Sequence, residues 1–349
     1  IKGHADYAPI GQDIVCSAVT SNAIGIINSL DTLAKVKFDS VIGQEGFIEC
    51  LIKEGVTTMF GYPGGTVIPI YDALYDYTDK IKHIRTSHEQ GAVHAADGYA
   101  RTSGKTGVCV ITSGPGATNA VTGIATAYMD SSPLVIISGQ VGTSLLGKDT
   151  FQEIDITGVT YSITKHNFLV RKLEDLPNII REAFIIANEG RKGPVLIDIP
   201  KNLQVTDLDY NMDDYMPSCQ NKKTKDEFQI KEENETKSKL QGAANLIKQS
   251  QRPIIYAGGG VKSVDQYKLL KEFAQKINTP VLNTLMGLGG IDRANPLSLG
   301  LVGMHGSREA NLAISNSDLV ISIGARFSDR VIGNKDEFAK NAKVIQIDI

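Results

Sequence analysis

Residues 44–204 alternate short apolar runs with segments in which apolar residues recur every three or four positions. Short apolar runs bounded by glycine or proline predict buried strands, and the wider spacing predicts helices. The predicted helices are 43–53 and 68–77, and the predicted strands are 57–60, 107–111, 134–138 and 195–199. This alternation predicts a parallel sheet with helices on both faces.

A second alternating pattern begins with a helix near Leu240. It continues with a helix at 309–316 and with strands at 253–257, 279–283, 319–323 and 343–347. The chain is therefore expected to be an α/β protein with two successive doubly wound parallel sheets. Its start at Ile1 rather than Met, and its end directly after an apolar strand, lead us to expect that both ends are cut.

The stretch 206–239 differs from both patterns because it is polar and dense in charge, and we predict a linker on the surface. With 349 residues, the chain is long enough for about two or three domains. The predicted organisation is a short N-terminal fragment at 1–38, a first domain at 39–205, the linker at 206–239 and a second domain at 240–349.

Charge and cysteine content exclude several classes of partner. The net charge is −3, which argues against a nucleic acid or a membrane surface as partner. The four cysteines are far apart and form no Cys-x-x-Cys pair, so neither a zinc site nor a disulfide framework is predicted. No run of 18 apolar residues and no signal-peptide pattern occurs. We expect a cytoplasmic protein.

One carboxylate stands out because it lies between a short apolar segment and a helix of small residues. This is Glu89, in Ser-His-Glu-Gln-Gly-Ala-Val-His at 87–94. Glycine turns at 60–65 and 110–119 follow two of the predicted strands, and ligands of such sheets collect at the carboxyl ends of strands. The alternative for Glu89 is a structural acid that caps the helix or forms an ion pair.

These three segments resemble the pyrimidine-binding domain of thiamine-diphosphate enzymes. The resemblance implies that Glu89 bonds the aminopyrimidine ring and relays its proton, while the cofactor supplies the carbanion. It also implies cofactor contacts from Tyr62, Pro63, Gly64 and Asn119, and a catalytic position for Gly65.

Further motifs in the second half resemble the central FAD-binding domain of the acetohydroxyacid (acetolactate) synthase family, large or catalytic subunit. They are 258–260, 284–290, 303–306 and 323–330. The resemblance implies the following flavin-binding residues: Gly258, Gly259, Gly260, Thr284, Leu285, Met304, His305, Gly306, Gly324, Ala325, Arg326, Asp329, Arg330 and Asp348, with Arg191 from the preceding domain. Arginine forks suit phosphate or polarised ring oxygens. A surface ion pair is plausible for Arg191, Arg326 or Arg330 singly, but not for all three together.

The same resemblance extends over residues of about 40 to 349 and includes the segment 147–153. It implies catalytic roles for Gln152 and Lys201, with Phe151 near the entrance to the site. Gly142, Thr66 and Ser328 depart from the residues that are usual in the family, which puts the shape of the entrance in doubt rather than the reaction.

The family's third domain, which holds the diphosphate and Mg²⁺ through a Gly-Asp-Gly motif, has no counterpart in this sequence. We therefore expect a chain that is truncated before this domain, that contains no metal ligands of its own, and that is inactive alone. Residues 1–38 resemble part of the ribosomal-processing cysteine protease family, with His4 and Cys16 matching its catalytic pair. We expect this fragment to be a fusion or an artefact that cleaves no peptide.

The resemblance implies a transferase that uses thiamine diphosphate, FAD and Mg²⁺ to condense pyruvate with pyruvate or 2-oxobutyrate in branched-chain amino acid biosynthesis. It also implies a homodimer or homotetramer and a possible small regulatory subunit. One alternative is a flavin-free catabolic acetolactate synthase or another thiamine-diphosphate 2-oxo-acid decarboxylase or carboligase. Another, from a different class, is a flavin-binding or assembly fragment without catalysis.

Overall fold

Two parallel sheets organise the chain, as the apolar pattern predicts. The structure, a computed structural model, describes residues 41–42, 44–220, 227–261, 264–334 and 336–349. The fragment 1–38, and with it His4 and Cys16, lies outside the described residues. No helix within these ranges is both long and apolar enough to cross a membrane.

The first unit contains a six-stranded sheet in the order β3-β2-β4-β5-β7-β6, with every pair parallel. Its strands are β2 (Thr58–Gly61), β3 (Lys82–Arg85), β4 (Gly107–Ile111), β5 (Leu134–Gln140), β6 (His166–Leu169) and β7 (Pro194–Pro200). Its helices are α1 (Gln44–Lys53), α2 (Ile68–Tyr75), α3 (Glu89–Ser103), α4 (Pro115–Met129), α5 (Ile156–Thr160), α6 (Leu176–Asn188) and α7 (Lys201–Gln204).

Each face of this sheet buries a separate core. Helices α1, α2 and α6 pack on one face, and α3, α4 and α5 cover the other. The central strands β4 and β5 are buried at every position, which accounts for their unbroken apolar runs. The edge strands β3 and β6 carry His, Lys, Arg and Asn and are only partly buried. Their mixed composition explains why apolar periodicity alone did not predict them.

The second unit contains a five-stranded parallel sheet in the order β11-β10-β9-β12-β13. Its strands are β9 (Pro253–Ala257), β10 (Val281–Asn283), β11 (Ser298–Leu301), β12 (Leu319–Ile323) and β13 (Lys343–Ile347), and its helices are α8 (Glu227–Gln249), α9 (Val264–Lys276), α10 (Arg308–Ser315) and α11 (Asp329–Ile332). Two cores again lie on opposite faces of the sheet. The prediction of two parallel α/β units is confirmed.

The structure differs from the predicted linker at 206–239. A strand β8 (Leu208–Asp209) pairs antiparallel with β1 (Val41–Ile42), and Met212 and Tyr215 are buried in the first core. Helix α8 then begins at Glu227, well before the predicted boundary at 240. Two apolar side chains within this charged stretch, Met212 and Tyr215, therefore pack the segment against the first unit.

Gly107, the first residue of β4, lies where two backbones come close together. A Cβ at this position would stand 2.3 Å from the Ala96 carbonyl oxygen of α3 and 2.6 Å from Leu134 Cδ2. Because the nearest atom belongs to the backbone of a buried helix, a larger residue would force the helix away from the sheet.

A buried carboxyl group interrupts the apolar run of β7. Asp198 is 1% exposed and lies beside Ser138 of β5 in the strand register. Burial raises the pKa of Asp198 to about 7, and the charge of Asp155 acts in the same direction, whereas the hydrogen bond from Gln140 and the neighbouring Ser138 hydroxyl group lower it. Between about pH 4 and pH 7, Asp198 therefore takes up a proton when the chain folds.

We expect Gly107→Ala to lower the free energy of unfolding by about 1–3 kcal/mol, because the added methyl group overlaps backbone atoms. The matched control is Gly98→Ala in α3, where a Cβ meets no atom within 4 Å. This control is expected to gain about 0.5–1 kcal/mol from the better helix propensity of alanine. Urea denaturation of both variants measures the difference, and equal stability would contradict the close packing of α3 on β4.

We expect Asp198→Asn to raise the free energy of unfolding at pH 8 by about 2–4 kcal/mol, because the native protein no longer buries a charge. The pKa of Asp198 is higher in the folded state than in the unfolded state. Its contribution is therefore most favourable at low pH and is lost as the pH rises through about 7. The gain from the substitution should shrink as the pH falls from 7 to 4, which denaturation at several pH values measures. A gain independent of pH would contradict this reading.

Candidate functional site

Three loops meet at the carboxyl edge of the first sheet, where β2, β3 and β4 end. The backbone amide of Thr86 donates to Gly61 O at 3.0 Å, and that of Tyr62 donates to Val110 O at 3.3 Å. The hydroxyl groups of Thr66 and Thr112 lie 3.0 Å apart, and Ser113 N donates to Thr66 Oγ1 at 3.0 Å. The glycine turns that the sequence singled out are therefore joined directly.

Glu89 is the first residue of α3 and lies between these loops. It is 5% exposed, and its Oε2 accepts a hydrogen bond of 2.9 Å from Asn119 Nδ2. The helix is capped by another residue, His88, whose Nδ1 accepts from Gln90 N at 3.1 Å. The hydrogen-bond partner of Glu89 among the described residues is an amide rather than a cation. The geometry therefore does not support the alternative of a capping or ion-paired acid.

The glycines around Glu89 leave little room for side chains. A Cβ at Gly116 would lie 3.0 Å from Glu89 Oε1 and 2.5 Å from Thr112 Cγ2, and one at Gly64 would also lie 2.5 Å from Thr112. At Gly65, in contrast, no atom lies within 4 Å. A buried carboxyl group whose Oε2 is held by an amide and whose Oε1 lies beside Gly116 can hydrogen-bond a nitrogen of a heteroaromatic ring. The residues present therefore fit the aminopyrimidine end of thiamine diphosphate.

Two groups near Glu89 remain neutral at physiological pH. Burial raises the pKa of the Cys109 thiol, and the charge of Glu89 raises it further. Burial likewise raises the pKa of the Tyr71 hydroxyl, followed by the effects of Cys109 and Glu89. Neither Cys109 nor Tyr71 therefore places a negative charge near the carboxyl group of Glu89.

The other predicted residues of this edge are more exposed. Tyr62 and Pro63 are exposed in the glycine turn at 60–65. Lys201 begins α7 directly after β7. Phe151 is 88% exposed, whereas Gln152 is partly buried. A Cβ at Gly114 would come within 2.8–3.0 Å of Gln152, so the backbone of Gln152 lies directly on the second glycine turn.

Residues 147–155 form a loop that we call the Gln152 loop. The carboxylate of Glu153 accepts hydrogen bonds from the amides of Gly147, Lys148 and Thr150. Asp149 and Gln152 adopt left-handed backbone conformations, with φ of 51° and 60°. Such conformations are unfavourable for residues other than glycine and persist only where neighbouring contacts hold them.

Gln140, which the sequence reasoning missed, joins the Gln152 loop to the sheet. Its Nε2 donates to Ile154 O and to Asp198 Oδ2, both at 2.9 Å, and its Oε1 accepts from Val141 N. The only signal in the sequence was a lone carboxylate, Asp198, within the apolar run Val-Leu-Ile-Asp-Ile. Pairing of β5 with β7 is what brings the two side chains together.

The predicted flavin segments meet at the carboxyl edge of the second sheet. Gly260 N donates to Gly324 O at 2.8 Å, and a Cβ at Gly258 would lie 2.2 Å from Gly324 O. Ala325, next to Gly324, is buried, while Gly259 is partly exposed. Thr284 N donates to Ala257 O at 2.9 Å, so the turn at 284–290 lies against the same strand end.

The cationic and apolar groups of this edge are exposed. Met304 N donates to Arg330 O at 2.8 Å, which places the 303–306 turn beside Arg330, and the Arg330 guanidinium lies 3.6 Å from Asp329. Arg326, His305 and Asp348 are also exposed, and Gly306 is partly exposed. Leu285 and Met304 are 71% and 64% exposed. Exposed apolar and cationic groups around glycine turns fit a large cofactor with an aromatic ring and phosphates.

Arg191 lies apart from both groups of loops. It precedes β7 and therefore lies at the amino edge of the first sheet. Its Nε donates to Ser131 Oγ at 2.8 Å, its Nη2 donates to Met129 O at 3.2 Å, and its guanidinium carbon lies 5.9 Å from the centre of the Tyr128 ring. The structure thus holds Arg191 on the end of α4, and a contact with flavin stays a prediction. No group of three or more metal-ligating side chains occurs within the described ranges.

Two models of protein families match this chain. Residues 42–159 match the thiamine pyrophosphate enzyme N-terminal TPP binding domain, and residues 240–349 match the thiamine pyrophosphate enzyme central domain. The first range contains Glu89 and both glycine turns, and the second contains the complete five-stranded sheet.

Individual relatives are similar over most of the chain. A probable acetolactate synthase large subunit of Methanocaldococcus jannaschii is 50% identical over 314 residues, and the acetolactate synthase isozyme 2 large subunit of Escherichia coli is 45% identical over 307 residues. Each alignment covers 88% of this chain, but 51% and 54% of the respective relative. The chain thus spans about half the length of the curated relatives it matches.

The family models match residues in both α/β units, and the two parallel sheets agree with them. The chain therefore belongs to the thiamine pyrophosphate enzyme family, of which it carries the N-terminal and central domains.

Proposed function

We propose that this chain acts in acetolactate synthesis, as the part of a catalytic subunit that binds the pyrimidine ring of thiamine diphosphate and a flavin. The reaction condenses pyruvate with pyruvate or 2-oxobutyrate in branched-chain amino acid biosynthesis. The observation that carries the proposal is the buried Glu89, held by Asn119 between two glycine turns. Similarity to acetolactate synthase large subunits supports this reaction over others of the family.

Thiamine diphosphate, when bound, supplies a stabilised carbanion. In our proposal Glu89 would hold a proton at N1′ of the aminopyrimidine, while Asn119 binds Oε2 and so orients the carboxyl group. Gly64 and Gly116 let both turns pack closely on Thr112, which keeps these turns beside Glu89. Gln152 and Lys201 then serve the 2-oxo acid as polar and cationic groups at the mouth of the site.

The second unit is proposed to bind FAD along the turns at 258–260, 303–306 and 324–330. The exposed Arg326 and Arg330 suit the diphosphate, and the exposed Leu285 and Met304 suit the flavin ring. These loops favour the flavoprotein over the flavin-free alternatives. We assign neither Mg²⁺ nor the diphosphate of thiamine to described residues of this chain, among which no group of three or more metal-ligating side chains occurs. We also propose assembly with a second copy and with a smaller regulatory subunit, in keeping with the relatives' name of large subunit.

We expect Glu89→Gln, in the complete enzyme, to lower kcat for acetolactate formation by about 10²–10⁴-fold, because an amide cannot relay the proton. FAD content should be unchanged, since the flavin loops lie in the other unit. The matched control is Glu174→Gln, an exposed acid of the same unit, which should retain wild-type kcat. A Glu89→Gln enzyme with near-normal kcat would overturn the assignment.

We expect Arg330→Ala to weaken FAD binding by about tenfold, corresponding to the loss of one charge-assisted contact. Titration of the apoprotein with FAD, followed by flavin fluorescence, measures the dissociation constant. Lys340→Ala serves as control because Lys340 is an exposed cation of the same unit that pairs with Glu337. Equal FAD affinity in the two variants would place the flavin elsewhere.

A further inference from the structure

We propose that Asp198 is a positioning residue that acts through Gln140 on the Gln152 loop, and so sets where Gln152 lies beside the Gly114 turn. The catalytic part of this inference rests on the proposed function. The positioning itself is a property of the chain and can be tested without any turnover.

The side chains of Asp198 and Gln140 lie on the same face of the first sheet, covered by α3, α4 and α5. They are 1% and 3% exposed, respectively. The Gln140 amide is fixed in orientation, because its Oε1 accepts from Val141 N while its Nε2 uses both hydrogens, one for Asp198 and one for Ile154 O. Removing the acceptor on Asp198 would leave a buried donor unpaired, which favours rotation of the amide away from Ile154.

The Gln152 loop depends on this link because its other polar contacts are mostly internal. The amides that Glu153 binds all belong to the loop itself, so they preserve its shape without joining it to the sheet. Gln140 reaches the carbonyl of Ile154, two residues after Gln152, from the end of β5. The left-handed conformation of Gln152 and its close approach to Gly114 require such an external constraint.

Only one oxygen of Asp198 takes part in this chain of contacts. Oδ2 accepts from Gln140, whereas Oδ1 has no hydrogen-bond partner among the described residues. Asparagine keeps one acceptor oxygen of the same reach, but alanine keeps none. The inference therefore predicts that Asp198→Asn preserves the loop position and that Asp198→Ala does not. Gln140→Met, which removes both donors at similar length, should resemble Asp198→Ala.

The first experiment is limited trypsin digestion of the native enzyme, with cleavage after the exposed Lys148 followed by mass spectrometry. Gln140→Met and Asp198→Ala should be cut there about tenfold faster than the wild type, because the loop opens more often. Asp198→Asn should be cut within about twofold of the wild-type rate. Ile180→Ala, a core truncation in α6, controls for lost global stability and should leave this site protected relative to the two loosened variants.

The second experiment separates kcat from KM for pyruvate in the complete enzyme. Displacement of Gln152 should lower kcat/KM by about tenfold or more in Gln140→Met, with most of the change in KM. The affinity for thiamine diphosphate should stay close to that of the wild type, since the Glu89 contacts are untouched. Asp198→Asn should recover most of the loss seen in Asp198→Ala.

Two results would overturn the inference. One is wild-type protection of Lys148 in Gln140→Met, and the other is an Asp198→Asn variant as impaired as Asp198→Ala in both experiments. Failure of the proposed function gives a different result, because a wild-type enzyme that forms no acetolactate would still show the predicted order of digestion rates. The two hypotheses can therefore fail separately.

Discussion

Close packing of glycines at the carboxyl edge of each sheet is the constraint on which the rest of the structure depends. Gly64 and Gly116 both lie against Thr112, and Gly258 and Gly260 lie against Gly324. These contacts leave no space for a Cβ, and they bring loops that are distant in sequence to one place. The neighbouring groups, among them Glu89 in the first unit and Met304 in the second, take their positions from these loops. A substitution at one of these glycines would therefore displace several groups at once.

The two units apply the same constraint to different chemistry. In the first unit the contact surrounds a buried carboxyl group, and the nearby thiol of Cys109 stays neutral. In the second unit the contact is bordered by exposed arginines and by the exposed thioether of Met304, which are suited to an anionic and polarisable ligand. Sheet topology therefore decides where a ligand collects, while the residues on the loops decide which ligand it is.

Much of the fold could be predicted from the sequence because the central strands are continuous apolar runs, as in β4, β5 and β12. Partly exposed edge strands such as β3 lack this signal. The packing of Met212 and Tyr215 on the first core was not predicted either, because these residues lie within a charged stretch. The loops around Glu89 were predictable because each follows a strand. The link between Gln140 and Asp198 was not predictable, since it depends on the pairing and register of strands that are distant in sequence.

The buried carboxyl group of β7 has a consequence for the heat that accompanies folding. Between about pH 4 and pH 7, folding transfers a proton from the buffer to Asp198, because the pKa of this group rises as the chain closes around it. The measured enthalpy of unfolding then includes the ionisation enthalpy of whichever buffer exchanges that proton. Calorimetry in this range should therefore give different apparent enthalpies in buffers with small and large ionisation enthalpies, even though the protein and its final state are the same.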